Sequence, residues 1–200
     1  TATATPNENQ QAVGTYAATD ADGSATQTYS ILTAAQNPAS VDHDLFSVAG
    51  GGVLTFQASP NYEDAGCGAG NNANTCAVVI QVTDGANTDT ITVTVNVQDV
   101  NEFSPEFGDG DTATATPNEN QQAVGTYAAT DADGSATQTY SILTAAQNPA
   151  SVDHDLFSVA GGGVLTFQAS PNYEDPGCGA GDNSNTCAVV ILSLIHISEP

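Results

Sequence analysis

The sequence predicts an all-β chain built from tandem seven-stranded β-sandwiches, and three observations carry that prediction. Residues 1–80 recur at 112–191, and only three positions differ: Ala65 against Pro176, Asn71 against Asp182 and Ala73 against Ser184. The offset between residue 1 and residue 112 is too long for a solenoid repeat and suits one whole sandwich per copy. Within a copy, short alternating apolar runs are separated by Gly, Asn, Asp and Pro, and none has a helical period.

The elements follow in order. Residues 1–5 alternate Thr and Ala and stop at Pro6-Asn7-Glu8-Asn9. Residues 13–18 lead into the acidic stretch Thr19-Asp20-Ala21-Asp22-Gly23. Residues 26–32 carry Tyr29 and Ile31, residues 45–48 end at three glycines, and residues 53–57 precede a loop that holds two cysteines. Residues 76–83 turn at Asp84-Gly85 into residues 88–97. Period two puts Val78, Ile80 and Val82 on one face of their strand, and Ile91, Val93, Val95 and Val97 on one face of theirs. Two such faces packed together make a sandwich core.

Composition narrows the function. The chain has no Lys or Arg against 23 Asp plus Glu, a formal charge of −23. Nucleic acid is excluded as a partner on electrostatic grounds, and so is direct binding to anionic lipid. Clustered carboxylates without cationic side chains must be solvated, protonated or bound to cations. The apolar fraction of 40% sits in periodic runs, which argues against disorder, and no run approaches the ~18 apolar residues of a membrane span. The chain begins inside a motif, so it is expected to be a fragment with further sequence ahead of it.

The four cysteines fall as Cys67 with Cys76 and Cys178 with Cys187, each pair in a Gly/Asn-rich loop. A zinc site needs about four such ligands. The expectation is one disulfide per loop and an oxidising, extracytoplasmic setting; the alternative is free thiols. His43 and His154 sit in Val-Asp-His-Asp, where acid–base work has to be weighed against a solvated loop histidine. Without a nucleophile or pocket signal, and with no phosphate-loop or zinc motif, no enzyme is expected.

Between the copies lies Asp99-Val100-Asn101-Glu102-Phe103-Ser104-Pro105. It follows a strand and packs carboxylates and an amide where a flexible joint would use Gly or Ser. Hard oxygen donors at this density suit Ca2+, which takes about six to eight oxygens; the alternative is a merely acidic polar loop.

Taken together these motifs resemble cadherin repeats, of the type found in large bacterial surface or secreted proteins. The match spans nearly all of both copies. Glu8 resembles the family's early Glu, Asp20 and Asp22 its DxD motif, Glu63 in Pro-Asn-Tyr-Glu-Asp its DRE-like motif, Asp84 the Asp after strand F, and residues 99–105 its DxNDNxP linker. The resemblance implies Greek-key, immunoglobulin-like sandwiches of the cadherin type. It divides the chain into repeat 1 at 1–104, truncated at its N-terminus, and repeat 2 at 105–191, lacking strand G. It implies interdomain Ca2+ held by Glu8, Glu63, Asp99, Asn101, Glu102, Asp131 and Asp133. Asp20, Asp22 and Asp84 form a half-site at the top of repeat 1, and Glu119 and Glu174 a half-site at the base of repeat 2. Asn61 stands where the DRE-like motif has Asp, Glu102 where the linker has Asp, and Phe103 where it has Asn, so fewer or weaker ions than the family's full set are expected. Cys76 stands where the family usually has Tyr.

Residues 192–200, Leu-Ser-Leu-Ile-His-Ile-Ser-Glu-Pro, break the repeat and resemble the translation of a sequencing-library transposase adaptor, a non-native tail. They put Leu192 and Ser193 where copy 1 has Gln81 outward and Val82 inward, which inverts the faces. The expected function is a Ca2+-binding module of an extracellular or cell-surface adhesion protein, partnered by further repeats of its parent chain and by like copies or a host surface. The alternative is a passive Ca2+-stiffened stalk in a large secreted protein whose ligand-binding or catalytic domain lies elsewhere.

Overall fold

A computed structural model describes residues 1–21, 26–68, 73–133, 137–178 and 184–196. The chain forms two compact units, Thr1–Val100 and Asn101–Pro200.

In the first unit seven strands form: β1 Ala2–Ala4, β2 Ala12–Thr15, β3 Thr28–Ile31, β4 Phe46–Ala49, β5 Val53–Phe56, β6 Thr75–Thr83 and β7 Thr88–Asn96. Each falls on one of the seven runs read from the sequence, and among the described residues of this unit the one helical element is a 3-10 turn at His43–Leu45. One sheet has the order β1-β7-β6-β3, with β1 parallel to β7; the other has the order β2-β5-β4. Sequence-distant neighbours such as β1 and β7, or β3 and β6, make this a Greek key.

The core is set by the period-two faces. Val78 and Ile80 on β6 and Val93 and Val95 on β7 are buried, opposite Leu54, Phe46 and Phe56 of the second sheet. The rings of Phe46 and Phe56 lie 4.6 Å apart, cross-strand partners on β4 and β5. The β4–β5 turn needs glycine: Gly52 has φ +77°, and a Cβ there would meet the Tyr16 carbonyl oxygen at 2.2 Å.

Val79 is also fully buried, which simple alternation does not predict. Residues 40–42 lie along the edge of β6, where β3 no longer reaches. The Val79 N–H donates to Ser40 Oγ at 3.0 Å, the Ala77 N–H donates to Asp42 Oδ2 at 2.7 Å, and the Asp42 N–H donates to the Ala77 carbonyl at 3.1 Å. Buried Ser40 and Asp42 thus satisfy backbone groups that a strand would otherwise take. His43 is held by the same loop: its Nδ1 lies 3.0 Å from the Ser40 carbonyl oxygen and its Nε2 3.2 Å from Asp44 Oδ1.

The second unit contains β8 Glu106–Phe107, β9 Ala123–Thr126, β10 Ala129–Thr130, β11 Thr137–Ile142, β12 Phe157–Ala160, β13 Val164–Phe167 and β14 Ile191–His196. β9, β13 and β12 form one sheet, β11 pairs with β14, and β8 pairs with β10. The Ser151 and Asp153 edge contacts repeat those of Ser40 and Asp42.

Two differences from the first unit have one cause. Residues 113–115 repeat the sequence of β1 but are not a strand, and residues 186–190 repeat the first half of β6 but are not a strand. In the first unit both segments pair with β7. Among the described residues, the second unit has no counterpart of β7. The residues that β7 would cover are correspondingly less buried: Val78 is fully buried, while Val189 is only packed at the margin of a smaller core of Phe157, Leu165 and Phe167.

Past the point where the repeat breaks off, the strand continues as β14. β14 pairs Tyr140 with Ser193 and Ile142 with Ile191, the register in which β3 pairs Tyr29 with Val82 and Ile31 with Ile80. Residues 192–196 therefore extend the strand without a slip, because their backbone serves the β11 ladder whatever their side chains are. The inverted faces remain: Ser193 is buried with no hydrogen-bond partner for its Oγ, and Leu194 is 53% exposed.

Candidate metal centre

In the first unit, Glu8 follows β1 at an isolated parallel bridge between Asn7 and Gln98. Asn9 takes φ +60°, a left-handed turn that asparagine tolerates. Glu8 is only 2% exposed, and its two carboxylate oxygens are divided between two segments. Oε2 accepts from the Tyr62 N–H at 2.8 Å, and Oε1 accepts from the Val100 N–H at 2.8 Å. The side chain joins the end of β1, the Pro60–Tyr62 loop and the segment leaving β7.

Glu63, one residue beyond that loop contact, is exposed. One of its carboxylate oxygens lies within 4.8 Å of one on Glu8, and one lies within 4.8 Å of one on Asp99. Two unit charges at that distance repel by about 1 kcal/mol in water and about 3 kcal/mol at an effective dielectric near 20. The chain has no Lys or Arg to offset this.

In the second unit, Asp131 and Asp133 follow β10. Asp131 Oδ1 accepts from the Asp133 N–H at 2.8 Å, a local turn that fixes both side chains. Asp133 is 4% exposed, and its Oδ2 accepts from the Phe103 N–H at 3.1 Å. With its amide turned to face these acceptors, Asn101 donates from its side-chain nitrogen to Asp133 Oδ2 at 2.9 Å and to the Phe103 carbonyl at 3.2 Å. The Phe103 carbonyl, the one oxygen that residue can offer a cation, therefore already accepts a hydrogen bond. Glu102 is exposed beside it.

Asp131 Oδ2 is buried and accepts no hydrogen bond. The Asp131 residue is one wall of an open cavity of about 310 Å³, with Phe103, Ser104, Glu106, Thr130 and Ala132. A buried carboxylate oxygen without a donor is costly unless a cation takes it. The donor set around these residues is oxygen throughout, which fits a hard cation rather than zinc or copper.

The two half-sites are less developed. Asp84 Oδ1 accepts from the N–H groups of Ala86 at 2.8 Å and Asn87 at 2.6 Å, and these bonds hold its carboxyl below the usual carboxylate range. Asp84 thus serves its own turn. Asp20 is half-buried, and Asp22 lies outside the described residues. Glu119 repeats one bond of Glu8, accepting from the Tyr173 N–H at 3.0 Å, but is exposed. Glu174 is also exposed, and its own N–H donates to Asn172 Oδ1 at 3.3 Å. Cys67–Cys76 and Cys178–Cys187 are disulfides, with Cα atoms 4.7 and 4.8 Å apart, so the free-thiol alternative falls.

No family model matches the chain, and no curated protein matches it. Solved structures do. The chain is similar to human protocadherin-24 EC1-2 at 21% identity and TM-score 0.59, over 99% of this chain and 94% of that one. It is similar to Drosophila N-cadherin EC1-4 at 15% identity and TM-score 0.58, over 96% and 46%. It is similar to the human desmocollin-1 ectodomain at 17% identity and TM-score 0.56, over 99% and 41%. Identities this low speak for the fold alone, and the fold is that of cadherin-type immunoglobulin-like β-sandwiches.

Proposed function

We propose that this chain is a calcium-binding module of an extracellular adhesion protein. In this reading, Glu8, Glu63 and Asp99 from the first unit, and Asn101, Glu102, Asp131 and Asp133 from the second, take Ca2+ along the 99–105 segment. The observation that carries the proposal is the Asp131 carboxylate oxygen, buried without a donor in a chain that has no cationic side chain except histidine. Bound Ca2+ supplies positive charge and oxygen coordination there. The chain's own part is to hold the ligands ready. Glu8 is fixed by two backbone N–H donors, Asp133 by Phe103 and Asn101, and Asp131 by its turn with Asp133.

The cadherin-type fold, the two disulfides and the solubilising charge support an extracellular setting. No helix among the described residues is long and apolar enough to cross a membrane. The partners in this reading are neighbouring repeats of the same parent chain and like copies on another surface. Calcium would restrict motion about the 99–105 segment, so that the repeats present their faces in a fixed direction.

Two experiments test this. Small-angle scattering in millimolar Ca2+ should give a narrower distance distribution than in chelator. Beads coated with the chain should aggregate in Ca2+ and not in chelator. Identical scattering curves would reject the calcium joint, and dispersed beads in both conditions would reject like-to-like adhesion.

A further inference from the structure

The acidic ligands of the first unit are tied to the cysteine loop through one residue. Asn74 Nδ2 donates to the Tyr62 carbonyl at 2.9 Å. That carbonyl shares a planar peptide with the nitrogen and Cα of Glu63, so the bond fixes the plane from which Glu63 leaves the backbone. The Tyr62 N–H donates the other way, to Glu8 Oε2 at 2.8 Å. The Asn74 carbonyl accepts from the Val97 N–H at 2.8 Å, two residues ahead of Asp99. Asn74 thus joins the segments that carry Glu8, Glu63 and Asp99.

Asn74 is itself held. Cys67 and Ala73 exchange backbone hydrogen bonds at 3.0 and 3.2 Å, and the Cys67–Cys76 disulfide closes the loop that contains it. Cys67 is 3% exposed, Cys76 is fully buried, and both belong to the sandwich core. The second unit shows that this arrangement forms without a β7. There Asn185 Nδ2 donates to the Tyr173 carbonyl at 3.1 Å, and the Tyr173 N–H donates to Glu119 Oε2 at 3.0 Å. Cys178 and Ser184 exchange the corresponding pair of backbone bonds.

The geometry points to Asn74 as the positioning residue of the metal centre, with the Cys67–Cys76 loop as the rigid part on which it stands. The inference rests on the calcium reading above and adds a determinant of affinity that lies outside the ligands. Carboxylates that repel one another swing apart when their backbone is loose, and gathering them again costs conformational entropy. Asn74 holds the Tyr62–Glu63 peptide with a neutral donor aimed at a carbonyl, so it takes no carboxylate oxygen from the cation. It acts through that peptide and not on the cation itself.

The test titrates CaCl2 by calorimetry into chelator-stripped full chain carrying Asn74→Ala. Removing a residue that orients metal ligands should weaken binding roughly 10-fold or more. In chelator, amide exchange at Tyr62 should quicken while the β6 and β7 amides stay protected. Asn74→Ser, whose hydroxyl stands one bond short of the amide nitrogen, should behave alike and replaces alanine if that variant unfolds. Ser40→Ala removes the acceptor of the Val79 N–H and serves as the purely structural comparison. It should lower the melting point of the first unit and leave the isotherm unchanged. If the parent binds Ca2+ and a folded Asn74 variant binds equally well, the role of Asn74 is overturned and the calcium reading stands. An equal loss of affinity in Ser40→Ala would also overturn it, by making the effect one of general stability. No binding in the parent rejects the calcium reading and this inference with it.

Discussion

Ser193 sits where the repeat has Val82, in a strand whose register the two copies share. It is 6% exposed and its hydroxyl finds no partner. An unsatisfied buried hydroxyl costs about 1–3 kcal/mol, and a valine there adds apolar contact and suits a strand. Ser193→Val should therefore stabilise the second unit by about 1–3 kcal/mol. For a domain of roughly 60–100 residues, each kcal/mol moves the midpoint by about 4–8 °C. Scanning calorimetry in chelator, with exchange of the β11 and β14 amides followed in parallel, reads the effect where it arises. Val82→Ser in the first unit should shift its own transition downward. If Ser193→Val left the second transition and the β14 amides unchanged, the tail would not hold the strand position described here.

Glu8→Ala removes two hydrogen bonds to a buried charged group, each worth about 1.5–3 kcal/mol, and should destabilise the first unit by ~3 kcal/mol or more in urea unfolding. Glu119→Ala, at the exposed copy with one such bond, should cost the second unit clearly less. Asp84 titrates below the usual carboxylate range because its turn donates to the ionised form. Its contribution is present above the unfolded carboxylate pKa and is lost as pH falls through the lower, folded value. Asp84→Ala should thus weaken the first unit at neutral pH, with the difference vanishing in strong acid; a penalty that persists there would contradict this account.

Period two located the seven strands of the first unit, because a half-buried strand writes its inward face into every second residue. It did not foresee Val79. Its backbone N–H is taken by Ser40 of the segment beside it, and the polar stretch Asn37-Pro38-Ala39-Ser40-Val41-Asp42 carries no periodic signal that it will lie along a sheet edge. Residues 2–4 and 113–115 are identical in sequence, yet only the first form a strand. Pairing with β7, not local propensity, decides that element. The tail gives the converse: Ile191–His196 is a strand although Leu192, Ser193 and Leu194 suit the opposite faces.

The acidic residues were all visible in the sequence, since a chain without Lys or Arg leaves every carboxylate cluster unexplained. Their separate duties were not. The motifs placed Asp131 in one ligand set and Asp84 in another, but not that Asp131 keeps an unused buried oxygen, that Asp84 Oδ1 serves its own turn, or that Asp42 accepts along the edge of β6. Those differences come from which N–H groups the fold brings within reach.

The most direct test is a calorimetric titration of CaCl2 into chelator-stripped chain, alongside Asp131→Asn. Asparagine keeps the Oδ1 acceptor that the Asp133 N–H uses and removes the charge and the unpaired oxygen. The account predicts binding in the range of extracellular modules, on the order of 10⁻⁴–10⁻³ M, poor replacement by Mg2+, and its loss in Asp131→Asn. It also predicts that Asp131→Asn is at least as stable as the parent in chelator. No heat of binding in the parent, or an unchanged isotherm in a folded Asp131→Asn, would contradict it.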